Sequence, residues 1–180
     1  VRMVKGGEYT FNEGLMEFMD INRQIKASEL PSLIPVTDVF EENGTVYAVS
    51  QRISAITLKE FLSRNGGSLK WEQARPLFLP LIDTVKGMND LGIIHGGIST
   101  DTILVGRDGK LRISGYSVRK LRYADNELEC ELFPGFAAIE QYGTNDMHMD
   151  MYTDVYALCA VLFNVLIGTV PAAAPDRLQN

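Results

Sequence analysis

The residues that bear on chemistry concentrate in LGIIHGGISTDTILVGRDGKLRISGYSVRK, positions 91–120. The stretch reads as a short apolar lead-in, a tight turn around His95, and two short strands, ILV and LRI. A two-residue Asp108-Gly109 turn is expected to join those strands, among the strongest short-range hairpin signals. A single His after an apolar run is ordinarily a packed core residue, but the ordered series that follows this one makes the whole stretch informative. Asp101 is the nearest spare carboxylate, a displaced base or ligand in principle and otherwise a solvated loop or cap residue. Asp146, Asp150 and Asp154 recur every four positions and could suggest a metal. Met147, Met149 and Met151 intervene, however, and no His/Asp shell converges there. Cys130 and Cys159 sit alone, without a CxxC or Cys/His pattern, and read as reduced thiols.

The elements that must position this stretch follow from composition and period. The 180 residues suit one domain, or a substantial part of one. A net charge of −6 and the lack of a Lys/Arg stripe argue against nucleic acid as a partner. The most apolar run, 155–167, is too short and too interrupted by Cys159 and Asn164 to span a bilayer. No signal peptide is visible, and a chain that starts at Val1 reads as a piece of a longer protein. Residues 1–10 show no clear period. A helix is expected from Asn12, which can cap it, to about Ala27, with Leu15, Phe18, Asn22 and Ile25 on one face. PVTDVF and TVYAVS read as strands paired through Asn43-Gly44. Thr57 and Glu60 form a capping box for a short helix closed by Gly66-Gly67. A long helix from about Trp71 to Leu91 presents Leu77, Leu81, Val85 and Met88, with Phe78 and Ile82 alongside, and Pro80 should kink it. Beyond the central hairpin, 121–133 looks like a charged surface loop and PGFAAIEQYG like a turn. A final helix from about Thr153 to Ile167 is apolar on nearly all sides, which predicts burial in the core, with Gly168 closing it.

LGIIHGGISTDTILV followed by GKLRISGYS resembles the catalytic loop and metal-binding segment of eukaryotic-like protein kinases. PGFAAIEQYG and TDVYALCAVLFNVLIGTVP resemble the end of that family's activation segment and its buried central helix. EENGTVYAVSQ, FLPLIDTVKGMNDLGIIH and TDVYAL are especially similar to bacterial Ser/Thr kinase domains. The resemblance implies an α+β, protein-kinase-like fold. A truncated small lobe of helix, β-hairpin and hinge (residues 1–53) would sit on a mainly helical partial large lobe (residues 54–180) ending at the central helix. The family's glycine-rich loop, its strand with the ATP-pairing Lys, and its last helices have no counterpart.

Phosphoryl transfer in that family needs an Asp to take the substrate proton, an Asn and an Asp to hold magnesium, and a Lys–Glu pair on the phosphates. Against the pattern H-R-D-L-x-x-x-N, His95 matches, Gly96 stands for Arg and Gly97 for the catalytic Asp. Ile98 fits the Leu position, and Thr102 stands for the metal-binding Asn. The D-F-G element becomes Gly115-Tyr116-Ser117, and Gly115 has no side chain with which to ligate magnesium. The phosphate-orienting Glu falls on Ile21 or Asn22. Lys5 could be proposed as the missing Lys, but it sits in a Gly-rich lead-in without strand pattern. Ser50 takes the gatekeeper position and Gln51, Arg52 and Ile53 the hinge, the first two polar where adenine wants an apolar slot.

By the same resemblance, the scaffold is retained. His95 is a packing and hydrogen-bonding residue, Tyr116 fills the aromatic core position, and Asp154 accepts backbone amides of the catalytic loop. Glu140 is the Glu of the A-P-E element, read as Ala138-Ile139-Glu140. Its usual Arg partner belongs to the missing helices, so Glu140 is either solvated or paired differently. Residues 118–133 hold no Ser or Thr, so only Tyr123 could accept a phosphate there. The expectation is a catalytically inactive kinase-like domain, a pseudokinase without cofactor or metal, serving as a regulatory or protein-binding module in bacterial signalling. It would be cytoplasmic, or the cytosolic part of a longer membrane protein. A protein partner or a second copy is expected on the small-lobe surface, with no nucleic acid and no membrane within the chain. The alternative is an active or atypical kinase, dependent on ATP and magnesium, or a nucleotidyl transferase, using displaced residues such as Asp101 and Lys5. A third, blander option is a purely structural domain.

Overall fold

The computed structural model describes residues 8–124, 129–143 and 148–178. Lys5, Asp146, Met147 and part of the charged 121–133 segment lie outside the described residues. The first helix, α1 (Glu8–Ala27), starts ahead of Asn12, which lies within it rather than capping it. Glu8 in its first turn suits the positive end of the helix dipole. Ile25 and Ile21 turn toward Leu33, Val36, Val39, Met88 and Ile93 to make a small core of their own.

Strands β1 (Val36–Glu42) and β2 (Thr45–Ser50) pair antiparallel, with Phe40 opposite Tyr47. Asn43 (φ 53°) and Gly44 (φ 67°) both adopt the left-handed region, as the tight hairpin turn requires. This two-stranded sheet packs on α1, which gives a hairpin too small to stand alone a surface to lie on.

A second sheet, ordered β3-β4-β5, links the two halves of the chain. Its first strand, β3 (Ala55–Thr57), is three residues long and too short to show a period. Thr57 ends that strand and caps α2 (Leu58–Arg64), accepting from the Glu60 amide at 3.1 Å. The Glu60 carboxylate is paired with Arg64 instead of reaching back to Thr57, so only half of the expected capping box forms. Strands β4 (Ile103–Gly106) and β5 (Leu111–Ile113) form the expected antiparallel hairpin. Their connection is one residue longer than predicted. Gly106 pairs with Lys110 (N to O, 3.0 Å) and Gly109 donates back to Gly106 at 2.9 Å. The loop is therefore 107–109, with Gly109 (φ 73°) in its left-handed third position.

The long helix α3 (Trp71–Asp90) carries both Pro76 and Pro80. Phe78, Leu81, Val85 and Met88 are buried, but Ile82 is 41 % exposed and faces away from the core. Thr84, fully buried, uses its hydroxyl twice: it donates to the Pro80 carbonyl one turn back (2.8 Å) and accepts from the Ser32 amide (2.9 Å). That hydroxyl ties the middle of α3 to the 28–35 connection.

Helix α4 (Met151–Ile167) begins at Asp150, whose carboxylate accepts from the Tyr152 amide at 2.7 Å, and ends at left-handed Gly168. Ala157, Leu158, Ala160, Val161 and Val165 join the main core with α2, α3, β4 and β5. Val155, Phe163 and Ile167 are about half exposed, so the helix is buried on one side rather than all round. Apolar composition alone does not say which faces find neighbours. The chain also continues past α4, through a short helix α5 (Ala174–Leu178).

This packing separates two neighbouring positions of α3. Thr84→Ala would leave the buried Ser32 amide unpaired and should cost about 1–3 kcal/mol in urea unfolding. Ile82→Ala should stay within about 0.5 kcal/mol of the parent. Equal losses at both positions would contradict the geometry.

Candidate functional site

The start of α4 is aimed at the loop that follows Ile93. Asp154, with no exposed surface, accepts the backbone amides of His95 (2.9 Å) and Gly96 (2.8 Å) and the Asn89 side-chain amide (2.9 Å). Its two oxygens therefore fix the loop's backbone and tie it to the end of α3.

The His95 ring sits between two partners that set its tautomer. Nε2 lies 3.0 Å from the Ser114 carbonyl, which can only accept, and Nδ1 accepts from the Gly97 amide at 3.1 Å. The ring is thus neutral, protonated on Nε2. Burial pushes its pKa down. The nearby Asp154 charge pulls up, and Arg122 pushes down again. Tyr116 packs its ring at 5.2 Å, tilted by 56°, and touches both hydrophobic cores. Its buried hydroxyl has no partner among the described residues, and burial raises that group's pKa well above the usual tyrosine range.

Gly96 and Gly97 open a space that two distant side chains fill. A Cβ on Gly97 would fall under 3.0 Å from Cζ, Nη1 and Nε of Arg122. One on Gly96 would lie 2.8 Å from Met149 Sδ and 3.4 Å from Arg122 Cγ. Arg122 closes a short 3-10 turn, Arg119–Arg122, and is only 2 % exposed. This corrects the expectation of a plain surface loop at 121–133. Arg122 Nη2 donates to the Gly115 carbonyl, and Nη1 to the Glu131 carbonyl at 3.1 Å with the Glu131 carboxylate at 3.4 Å. The guanidinium also lies over the Phe133 ring, 5.7 Å from its centre.

Gln141, buried in the 3-10 turn Ile139–Tyr142, completes the arrangement. Its side-chain amide donates to the carbonyls of Gly96 and Arg122, and its oxygen accepts from the Ala138 amide. Nothing in the local pattern of PGFAAIEQYG marks Gln141. For Arg122 the one available signal is the vacant pair Gly96-Gly97.

The remaining candidate residues lie around this centre. Thr102 turns its hydroxyl inward, donating to the Gly97 carbonyl (2.8 Å) and accepting from the Ser99 amide (2.9 Å). Gly115 has φ of 80°, and a Cβ there would press on Thr102 Cγ2 at 3.0 Å. Asp101 pairs with Lys59 at 3.2 Å, on the rim of a cleft of about 420 Å³ between α2, the 133–136 turn and the end of α4. Glu140 accepts from the Thr153 hydroxyl, so it is paired within the chain. Asn22 donates to Phe18 within α1. Ser50, Gln51 and Arg52 are exposed, Ile53 is half-buried, and the Gln51 amide is used by the Pro35 carbonyl at 2.8 Å.

A profile described as protein tyrosine and serine/threonine kinase matches residues 2–177. The chain belongs to the protein kinase family. Among similar proteins, "Sperm motility kinase Tcr mutant form" of Mus musculus is 28 % identical over 154 residues, covering 83 % of this chain and 31 % of its own length. "Serine/threonine-protein kinase cds1" of Schizosaccharomyces pombe is 24 % identical over 162 residues, 86 % of this chain and 35 % of its own length. The solved structure "PpkA-294 apo form" superposes with a TM-score of 0.79 at 30 % identity, over all of this chain and 63 % of that one. The chain thus spans about a third of the length of these curated relatives. The fold is that of a protein kinase with a small lobe reduced to α1, β1 and β2 among the described residues.

The magnesium that kinases use does not fit the residues present. The positions that would supply its ligands are a glycine and a threonine whose hydroxyl is consumed by the loop. A guanidinium lies beside them, and no cluster of three or more His, Cys, Asp or Glu converges among the described residues.

The state of His95 yields a pH dependence. Its folded pKa is depressed, whereas the unfolded residue takes a proton near its ordinary value of about 6.5. Stability is therefore full above about pH 6.5 and falls as pH drops below it. Urea midpoints of the parent should slope downward between about pH 6.5 and 5, and the slope should flatten in His95→Asn. Parallel slopes would show that His95 is not the group responsible.

Proposed function

We propose that this chain is a catalytically silent kinase-like domain, a pseudokinase, acting as a regulatory or protein-binding module in signalling. The observation that carries this reading is Gly97. The residue that would take the substrate's proton has no side chain, and Arg122 fills the space in front of it. Gly115 and Thr102 add to it, because neither offers a free ligand for a metal on which phosphoryl transfer depends. A binding role is supported by apolar surface on the small lobe: Phe40, Tyr47 and Val49 on the hairpin, Tyr9 and Met16 on α1. Phe40 and Tyr47 stack at 5.3 Å in the open, and such patches mark contact surfaces. A second copy or a partner domain would cover them.

The second reading is an active Ser/Thr kinase with displaced residues. It is favoured by the similar proteins, which are named as kinases, and by Asp101 on the rim of the 420 Å³ cleft. Thermal unfolding with ATP, with and without magnesium, separates the two. A ligand at 100 times its Kd adds about 2.7 kcal/mol. The silent domain gives no magnesium-dependent shift and no transfer of labelled γ-phosphate, and either signal would overturn it. The interaction surface has its own test. Light scattering at rising concentration should show mass above the monomer, and a clean monomer throughout would count against self-association.

A further inference from the structure

We propose that Arg122 is a built-in cation that occupies the space in front of Gly97, packing the activation segment against the catalytic loop. In this position it bars any side chain from position 97 unless Arg122 itself moves or changes. The inference deepens the silent-domain reading and concerns the same centre, but it rests on a separate set of contacts.

The 3-10 turn Arg119–Arg122 sends its basic side chains in two directions. Arg119 meets Glu17 of α1, by its backbone amide (3.2 Å) and its Nε (3.3 Å), and Lys120 meets Glu13 at 2.7 Å. Those pairs are exposed and screened by salt, so they guide the turn onto α1 more than they hold it. Arg122 goes the other way, into the interior. Burying a guanidinium is costly unless most of its donors are met, and Nη1 and Nη2 bond Glu131 and Gly115. Nε alone has no partner among the described residues, and it lies on the side where a residue-97 side chain would stand.

That orphaned donor is the informative detail. A site shaped around an aspartate would have met it, yet the Cβ that an aspartate needs would overlap the guanidinium carbon. Gly97 and Arg122 are therefore complementary by volume, one absent side chain for one present. Met149 fills the matching space at Gly96. Gln141 reinforces the link, since its amide bridges the carbonyls of Gly96 and Arg122.

The test is a double-mutant cycle read by melting temperature in the whole chain, with Gly97→Ala and Arg122→Met. Methionine keeps the apolar stem and removes the planar head. Gly97→Ala alone should lower the melting temperature and speed trypsin cleavage at Arg119 and Lys120, because the added methyl expels Arg122. In the Arg122→Met background the same alanine should cost little. Additive losses would overturn the proposal. Should Arg122→Met fail to fold, Gly97→Ala alone still decides: unchanged melting and unchanged cleavage would overturn it too. Neither readout involves nucleotide. Magnesium-dependent ATP binding by the parent chain would overturn the silent-domain reading and leave the packing of Arg122 against Gly97 standing. Additivity in the cycle would do the reverse.

Discussion

The buried carboxylate of Asp154 is the interaction on which the rest of this structure depends. A charge with no exposed surface is costly unless its lone pairs are met, and three N–H donors meet them. Two of those donors are consecutive backbone amides, so the carboxylate dictates a conformation rather than a contact. Once His95 and Gly96 are held, the His95 ring can bridge Gly97 and Ser114, and the path of the chain into β4 is set. The third donor, Asn89, brings the end of α3 to the same point. The first turn of α4, where the helix dipole favours an anion, thus organises two other elements through a single side chain.

What could be read from the sequence was what local chemistry decides. Asn43-Gly44 predicts a left-handed pair and the structure shows one; the β4–β5 hairpin, the bounds of α3 and the Gly168 stop follow equally local rules. The Asp108-Gly109 signal was right in kind and one residue short in length, because the left-handed glycine closes a three-residue loop as well as a two-residue one. Asp154 became legible only through the resemblance, since an Asp in a first helical turn is satisfied by the dipole alone. The failures share a cause. Whether Ile82 or Val155 is buried depends on which neighbours arrive, and apolar character is the same on a covered and an uncovered face.

Arg122 shows the deeper limit. In a charged run an arginine reads as solvated, and its burial follows from what is missing at residues far away in sequence. Gly96 and Gly97 had been legible as losses, residues that stand where functional side chains would be. Their structural meaning is as cavities, and a cavity in a packed interior is filled. The pairing of vacancy and filler is a relation between positions, which a single sequence shows at neither one.

The same distinction explains how the catalytic positions can change so far while the fold stays recognisable at a TM-score of 0.79. The contacts that shape the loop run through the backbone: amides of His95, Gly96 and Gly97, and carbonyls of Gly97 and Ser114. A glycine supplies those groups as well as an aspartate does. At Gly115, where φ is 80°, glycine also removes the strain that a side chain would carry. Chemistry in this fold depends on side chains projecting into the centre, and architecture on main chain held from behind by Asp154 and His95. The two are separable, so likeness of fold says little about whether the chemistry survives.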